Sequence, residues 1–571
     1  MKTVADALEL VSKITTRGPT FVRADGSERH LPFADFVVEV RRAGAGLRSL
    51  GISPGDRVAL VVPDPEAFVK TFLGALAVGI VPVPLYPPSS STKLETYAAT
   101  LAHVLSVAGA HVLIAPKAQL DLLGELIQAT SPDVRRIEAE SLPQAEPIEY
   151  EIKPEEIALL QFTSGSTAAP KGVTITHAQL AANAHAIMVD GLKSSGEDTG
   201  VSWLPLYHDM GLIGFVVAPL FTSVPVVFIP TSLFVRRPSV WLDAIHRHRG
   251  TITFAPNFAY ALATRSIADR VLTGWDLSSV RVAGCGAEPI QPKVLRDVAT
   301  LFSVVGFKPS ALMPAFGMAE ATLAITFAEL TEEPKADRVD PQSLKLGKPT
   351  PSDAADAIEI ACCGKALPRF AVEVRDEAGN ALPERTIGEL YVRGPSIASG
   401  YFRNDQATAD TFKDGWLKTG DLGYLANGEL YVSGRKKDLI IIRGRNYFPQ
   451  DIEAAVGAVD GVRDAQCAAF SVRDPRGSGD EQLVVVTETA RARDTHDALR
   501  TAISERVFEA TGLVVAEVVF IRRGTLPKTS SGKVRRAETR SRYESQTLEL
   551  AGRDSEAPSS SDAAQVSPSF S

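Results

Sequence analysis

The stretch Ile157-Ala158-Leu159-Leu160-Gln161-Phe162-Thr163-Ser164-Gly165-Ser166-Thr167-Ala168-Ala169-Pro170-Lys171-Gly172 runs an apolar, strand-like segment directly into a loop of hydroxyls, glycine and lysine. Backbone N–H groups, side-chain donors and a cation packed into ten residues are the means by which a loop holds polyphosphate. The loop is not a Walker A motif, because the GxxxxGK[ST] spacing fails. A polar Ser/Thr/Gly turn is also what an ordinary surface loop looks like, but the complete string is far more specific than its composition.

Outward from this stretch, the first 345 residues or so alternate short β-rich runs with helix-like ones. The strand-like runs include Arg57–Val62, His111–Ile114, Val226–Ile229, Thr251–Phe254 and Ser279–Ala283; Phe68–Val78 and Pro238–His248 read as helices. Strands separated by helices predict parallel sheets covered on both faces, hence an α/β class. Between Phe370 and Val432 closely spaced strands (Ala371–Arg375, Gly388–Arg393, Glu429–Val432) and turn sequences predict a small antiparallel sheet or distorted β-barrel. After Gly434 comes the charged run Arg435-Lys436-Lys437-Asp438, and the pattern then restarts with helix Pro449–Val456, strand Gln482–Glu488 and helix Thr495–Thr511. The expected organisation is a large domain over 1–434, a hinge at 435–438, a small mobile α+β domain over 439–545 and a disordered serine-rich tail over 546–571.

A length of 571 residues, with 45% hydrophobic and 22% charged side chains, gives several cores to an ordinary globular chain. The formal charge of −8 argues against a general grip on nucleic acid. Cys285, Cys362, Cys363 and Cys467 form neither a disulfide framework nor a CxxC pair, so a reducing cytoplasm is the expected location. The N-terminus carries Asp6 and Glu9 and lacks a secretory core. The most apolar runs are broken by Pro82, Pro84, Pro219 and Pro225 and fall short of the ~20 residues a membrane helix needs.

Three further strings carry candidate chemistry: Gly286-Ala287-Glu288-Pro289, Phe316-Gly317-Met318-Ala319-Glu320-Ala321-Thr322 and Thr419-Gly420-Asp421-Leu422-Gly423. A buried Glu320 carboxylate can hold Mg²⁺ beside nucleotide phosphates, and Asp421 can accept from both hydroxyls of a ribose. Glu320 reads equally as a helix cap, and Asp421 as a turn residue. Pro527-Lys528-Thr529-Ser530-Ser531-Gly532-Lys533 presents a lysine on a Gly/Ser-rich turn. Such a cation can stabilise charge developing on a transferring phosphoryl or acyl group, although alone it reads as a solvated surface lysine.

These elements in this order resemble the adenylate-forming superfamily of acyl-CoA synthetases, peptide-synthetase adenylation domains and luciferases, over roughly residues 10 to 540. Within it the chain looks like a fatty acyl-AMP ligase. That likeness rests on Ser202-Trp203-Leu204-Pro205-Leu206-Tyr207-His208-Asp209-Met210-Gly211-Leu212, on Cys285–Pro289 and on Lys437–Glu453. Extra chain between Leu330 and Cys363, acidic and without obvious structure, resembles the insertion with which this branch limits domain movement. Ala168-Ala169 replaces the glycine-containing pair of many members, which alanine tolerates if φ stays negative.

The resemblance implies that Thr163, Ser164, Gly165, Ser166, Thr167 and Lys171 take the ATP phosphates. It places Gly286, Ala287, Glu288 and Pro289 with Ala315, Phe316, Gly317 and Met318 at adenine, and Asp421 and Arg435 at ribose. Glu320 and Thr167 would hold Mg²⁺, His208 would gate between carboxylate and nucleotide, Lys437 would be the hinge, and Lys533 would contact the acyl carboxylate and α-phosphate. The implied reaction activates a medium or long fatty acid as acyl-AMP. The acyl group then passes to the phosphopantetheine thiol of an acyl-carrier protein or a polyketide or peptide synthase carrier domain. The alternatives are a fatty acyl-CoA synthetase and a silent nucleotide- or acyl-binding protein; the second is disfavoured because Lys533, Glu320 and Asp421 are all present.

Overall fold

The computed structural model describes residues 1–551 except 89–93, 164–168, 268–273, 443–444, 463–465, 474–480 and 530–531. The chain divides into two compact units. The larger comprises Met1–Lys437 with the short segment that carries Lys533, and the smaller comprises Asp438–Thr529 and the chain from Val534 onward.

In the larger unit, a nine-stranded sheet has a parallel centre in which Val226–Phe228, Gly200–Ser202, Ile252–Ala255, Val282–Cys285 and Leu312–Gly317 lie side by side. The first four are buried along their length and Leu312–Gly317 over its first half, as expected where helices cover both faces. A second, fully parallel sheet orders Val81–Pro84, Arg57–Leu60, Val112–Ala115 and Arg135–Glu138. The α/β class is therefore borne out. The strand expected at Ser279–Ala283 instead begins at Val282, because Leu277 to Val280 form a turn and the strand runs on to Cys285.

The Phe370–Val432 region forms a five-stranded antiparallel sheet of Ala371–Arg375, Gly388–Arg393, Trp416–Ala426, Phe412–Lys413 and Glu429–Arg435. Among the described residues no strand pairing closes this sheet on itself. Bulges at Glu389/Tyr391 and Leu422/Gly423 bend it.

The insertion is structured, contrary to its composition. Ala336–Val339 and Ile358–Ala361 pair antiparallel, and Pro341–Lys345 forms a helix capped by Asp340. Asp337 accepts hydrogen bonds from Arg385 at 3.0 Å and from the Tyr424 hydroxyl at 2.7 Å. Arg296 bonds Glu359 at 2.7 Å, and Lys335 bonds Glu429 at 3.2 Å. Charged residues of the insertion are thus its attachment points to the rest of the larger unit.

In the smaller unit, Cys467–Arg473 and Glu481–Glu488 pair antiparallel, and Val515–Ile521 joins in parallel. Alternate side chains serve two cores. Ala469, Val485 and Phe520 meet helices Pro449–Gly457 and His496–Thr511, while Phe470, Val484 and Ile521 meet Leu526 and Tyr543. Residues 546–551, expected in the tail, continue this unit: Arg522 N–H donates to Glu549 O at 2.8 Å, and Ala551 N–H to Phe520 O at 2.9 Å. Among the described residues, no helix is long and apolar enough to cross a membrane.

Candidate active site

Three parallel strands of the nine-stranded sheet deliver site loops from the same edge, because each loop leaves a strand at its carboxyl end. Gly200–Ser202 leads to Trp203–His208, Val282–Cys285 to Gly286–Pro289, and Leu312–Gly317 to Met318–Glu320. In α/β sheets this is the edge where ligands bind. Gly317 is required there, since a Cβ would stand 2.1 Å from the Leu323 carbonyl oxygen. Ala287 adopts φ +69, a left-handed turn that brings Glu288 against helix Asn257–Ile267, where its carboxylate accepts from Phe258 N–H at 2.6 Å.

Thr163 ends one strand and Lys171 begins the next, facing each other across an antiparallel pair. The Lys171 ammonium lies 4.8 Å from the centre of the Tyr401 ring, and the Tyr401 hydroxyl donates to Glu320 Oε1 at 2.8 Å. Burial raises the proton affinity of Glu320, and the Tyr401 hydrogen bond is the largest influence opposing it. The Glu320 turn is itself fixed by buried polar contacts. Asn183 Nδ2 donates to Ala324 O at 2.9 Å, Asn183 Oδ1 accepts from Ala324 N–H at 3.0 Å, and Ser396 Oγ donates to Ala321 O at 2.8 Å. Ser164, Gly165, Ser166 and Thr167 lie outside the described residues.

Asp421 and Arg435 are register partners on antiparallel strands, and Arg435 Nε reaches Asp421 Oδ1 at 3.1 Å. Burial pushes the Asp421 carboxyl upward, while Arg435, Lys533 and Lys437 oppose it. Lys533, half-buried, is acted on by the same group of charges. Burial lowers its proton affinity, and Asp209, Glu288 and Asp421 restore part of it while Arg435 adds repulsion. His208 precedes the short helix Asp209–Gly211, its N–H donating to Pro205 O at 3.2 Å. Burial pushes His208 down to about 4, so its imidazole is neutral near pH 7.

Lys533, Glu288, Asp421, Arg435, Lys437, Asp209 and His208 thus share one electrostatic neighbourhood, and Arg435 also acts on Glu320, which carries Tyr401 and Lys171 with it. Ala315 to Met318 border it on the strand end beside Gly286, where a Cβ would meet Ala315 O at 2.9 Å. Two members carried no sequence signal as site residues. Asp209 lies within Ser202–Leu212 without an assigned role, and Tyr401 is 81 residues from the carboxylate it contacts. Carboxylates, the cations Lys171, Arg435, Lys437 and Lys533 and a glycine-flattened strand end can together take a polyanionic nucleotide and counter charge that develops on it.

The family described as AMP-binding enzyme matches residues 13–402, and the Disco-interacting protein 2-like AMP domain matches residues 437–553. A putative acyl-CoA synthetase of Caulobacter vibrioides is 37% identical, covering 90% of each chain. The long-chain-fatty-acid–AMP ligase FadD32 of Mycolicibacterium smegmatis is 34% identical over 91% of this chain and 90% of its own. A chain solved in structural and functional studies of fatty acyl-adenylate ligases from E. coli and L. pneumophila superposes with a TM-score of 0.89 at 35% identity, covering 95% of this chain and 98% of that one.

Proposed function

This chain belongs to the AMP-binding enzyme family, and we propose that it activates a medium or long fatty acid as acyl-AMP and then passes the acyl group to a carrier-protein thiol. The observation that supports the reading is that the charges of Asp421, Glu288 and Arg435 act on Lys533, with Arg435 itself 3.1 Å from Asp421. A carboxylate oxygen of the fatty acid attacks the α-phosphorus of ATP, and pyrophosphate leaves. Lys533 contributes a cation where charge gathers on the phosphoryl oxygens, and its enclosure strengthens that interaction. Asp421 accepts from the ribose hydroxyls, and Arg435 holds that carboxylate in place. Neutral His208 separates the acyl and nucleotide sides without adding charge.

Among the described residues no three His, Cys, Asp or Glu side chains cluster as a self-contained metal centre. Glu320, a buried hard-oxygen donor held by Tyr401, fits an ion whose other ligands come from phosphate. Mg²⁺ bound there supplies charge neutralisation at the phosphates. Thr167 is the proposed second protein ligand.

In the second half-reaction, the smaller unit turns about Lys437 and withdraws Lys533. The phosphopantetheine thiolate attacks the acyl carbonyl, a C–S bond forms, the C–O bond to phosphate breaks, and AMP leaves. Preference for a carrier over free coenzyme A is assigned to the insertion, whose attachment through Asp337, Glu359 and Lys335 supports a brake on that turn. The similarity to a putative acyl-CoA synthetase favours the second reading, in which coenzyme A is the acceptor. Supplying coenzyme A and holo acyl-carrier protein in parallel at equal thiol concentration separates the two. The first reading requires acyl-carrier product in excess, and rapid acyl-CoA formation establishes the second. Deletion of Val339–Asp356 should release acyl-CoA formation while sparing acyl-AMP formation; an unchanged product ratio removes the insertion as the brake.

A further inference from the structure

One guanidinium in the smaller unit ties together three segments that are remote in sequence. Arg536 opens helix Arg536–Glu544. Its Nε and Nη2 donate to the two carboxylate oxygens of Glu453 at 2.7 Å each, and Nη1 donates to Asp438 Oδ2 at 3.1 Å. The partners lie 83 and 98 residues away. All three side chains are largely enclosed, with 18% of Arg536, 13% of Glu453 and 12% of Asp438 exposed. Glu453 Oε1 also accepts from Ala469 N–H at 3.1 Å, which fastens the cluster to the central sheet.

The positions of these segments give the cluster its meaning. Asp438 directly follows Lys437, and Arg536 stands three residues after Lys533. The chain carrying Lys533 is closed at its base by the Lys528/Val534 bridge and by Arg535 N–H donating to Pro527 O at 2.9 Å. A planar, always-charged fork is the group suited to hold two carboxylates at fixed angles; a lysine ammonium at the same site can satisfy charge but not the bidentate geometry. A buried ion cluster is a poor source of net stability compared with apolar packing, so its value lies in fixing one arrangement.

We propose that Arg536 is a positioning residue for adenylation: it locks the base of the Lys533 loop to Asp438, so the exit of the hinge and the lysine move as one rigid piece. The inference rests on the reading of Lys533 and Lys437 given above. Without the clamp, a turn at Lys437 no longer fixes where the lysine arrives. A misplacement on the scale of 1 Å costs up to about a hundredfold in rate.

The test compares the full-length parent with Arg536→Lys, Lys533→Ala and the double variant, following pyrophosphate release with ATP, Mg²⁺ and a saturated fatty acid. Arg536→Lys should lower the maximal rate about 10- to 100-fold, with the KM for ATP within about twofold of the parent. In the double variant the loss should be no greater than in Lys533→Ala alone, because a residue that acts only through the lysine has nothing left to position. Multiplicative losses in the double variant, or a parental rate in Arg536→Lys, overturn the proposal. A parental rate in Lys533→Ala instead overturns the underlying reading of the lysine. If Arg536→Lys does not fold, Asp438→Ala keeps the Glu453 pair and severs only the leg to the hinge. It should show a smaller loss with the same non-additivity, and multiplicative loss there refutes the clamp equally.

Discussion

Replacing Tyr401 by phenylalanine removes the hydroxyl that bonds Glu320 and leaves the aromatic ring beneath Lys171. The Tyr401 hydroxyl donates to Glu320 Oε1 at 2.8 Å, and burial already favours the protonated form of Glu320. A hydrogen bond to an ionised group contributes about 1.5–3 kcal/mol, or roughly tenfold to a hundredfold in the balance between ionised and protonated carboxyl. A proton and Mg²⁺ compete for that carboxylate, so the variant needs more metal, and the deficit is larger at low pH. Titrating Mg²⁺ at saturating ATP and fatty acid, with pyrophosphate release as readout, should move the midpoint upward about tenfold or more at pH 6.5. The shift should be smaller at pH 8.5. Glu320→Gln, which cannot ionise, should show a weakened and pH-independent metal response. A Tyr401→Phe midpoint within twofold of the parent at both pH values would refute the assignment of Glu320 to the metal.

Lys533→Ala should lower acyl-AMP formation by at least about a hundredfold with folding intact, measured as acyl-AMP by mass spectrometry; a parental rate removes the lysine from the chemistry. Asp421→Asn should act mainly by raising the KM for ATP, and an unchanged ATP titration places the ribose elsewhere. Asp337→Ala strands the buried Tyr424 hydroxyl and unpairs Arg385, so denaturant unfolding should show a loss of about 1–3 kcal/mol; a loss below about 0.5 kcal/mol means the insertion is not anchored there. Burial pushes His177 and His208 down to about 4 from 6.5. The unfolded chain therefore binds more protons between these values, and stability should fall as pH drops from about 6.5 toward 4. His177→Gln should flatten that slope in paired denaturation curves, and an identical slope rejects the buried, neutral imidazole.

The sequence revealed the fold through periodicity. Apolar runs such as Val226–Ile229 could only be covered strands, and Ala371–Arg375 and Gly388–Arg393 alternate with turns too closely spaced for helical crossovers. The strand starting at Val282 was displaced because Val280 and Val282 read as one apolar run, whereas a turn separates them. The insertion has no obvious structure in sequence because its acidic Asp337 and Glu359 gain partners only when the fold brings Arg385 and Arg296 beside them. Residues 546–551 follow the same logic, since their order comes from edge pairing with Phe520 and Arg522 and not from their own composition. At the site, Lys533, Glu320 and Asp421 were legible because each sits in a string dense with unusual residues. Tyr401 was not, because its role is a contact made across 81 residues, and Arg536 was not, because a basic residue on a charged helix has no local mark of burial.

The central claim is that this site joins a fatty carboxylate to AMP. Purified protein incubated with ATP, Mg²⁺ and a panel of saturated fatty acids from medium to long chain, quenched and analysed by mass spectrometry, should yield acyl-AMP with pyrophosphate release in step. Absence of both products with every acid in the panel, from protein that is folded by circular dichroism, would contradict it.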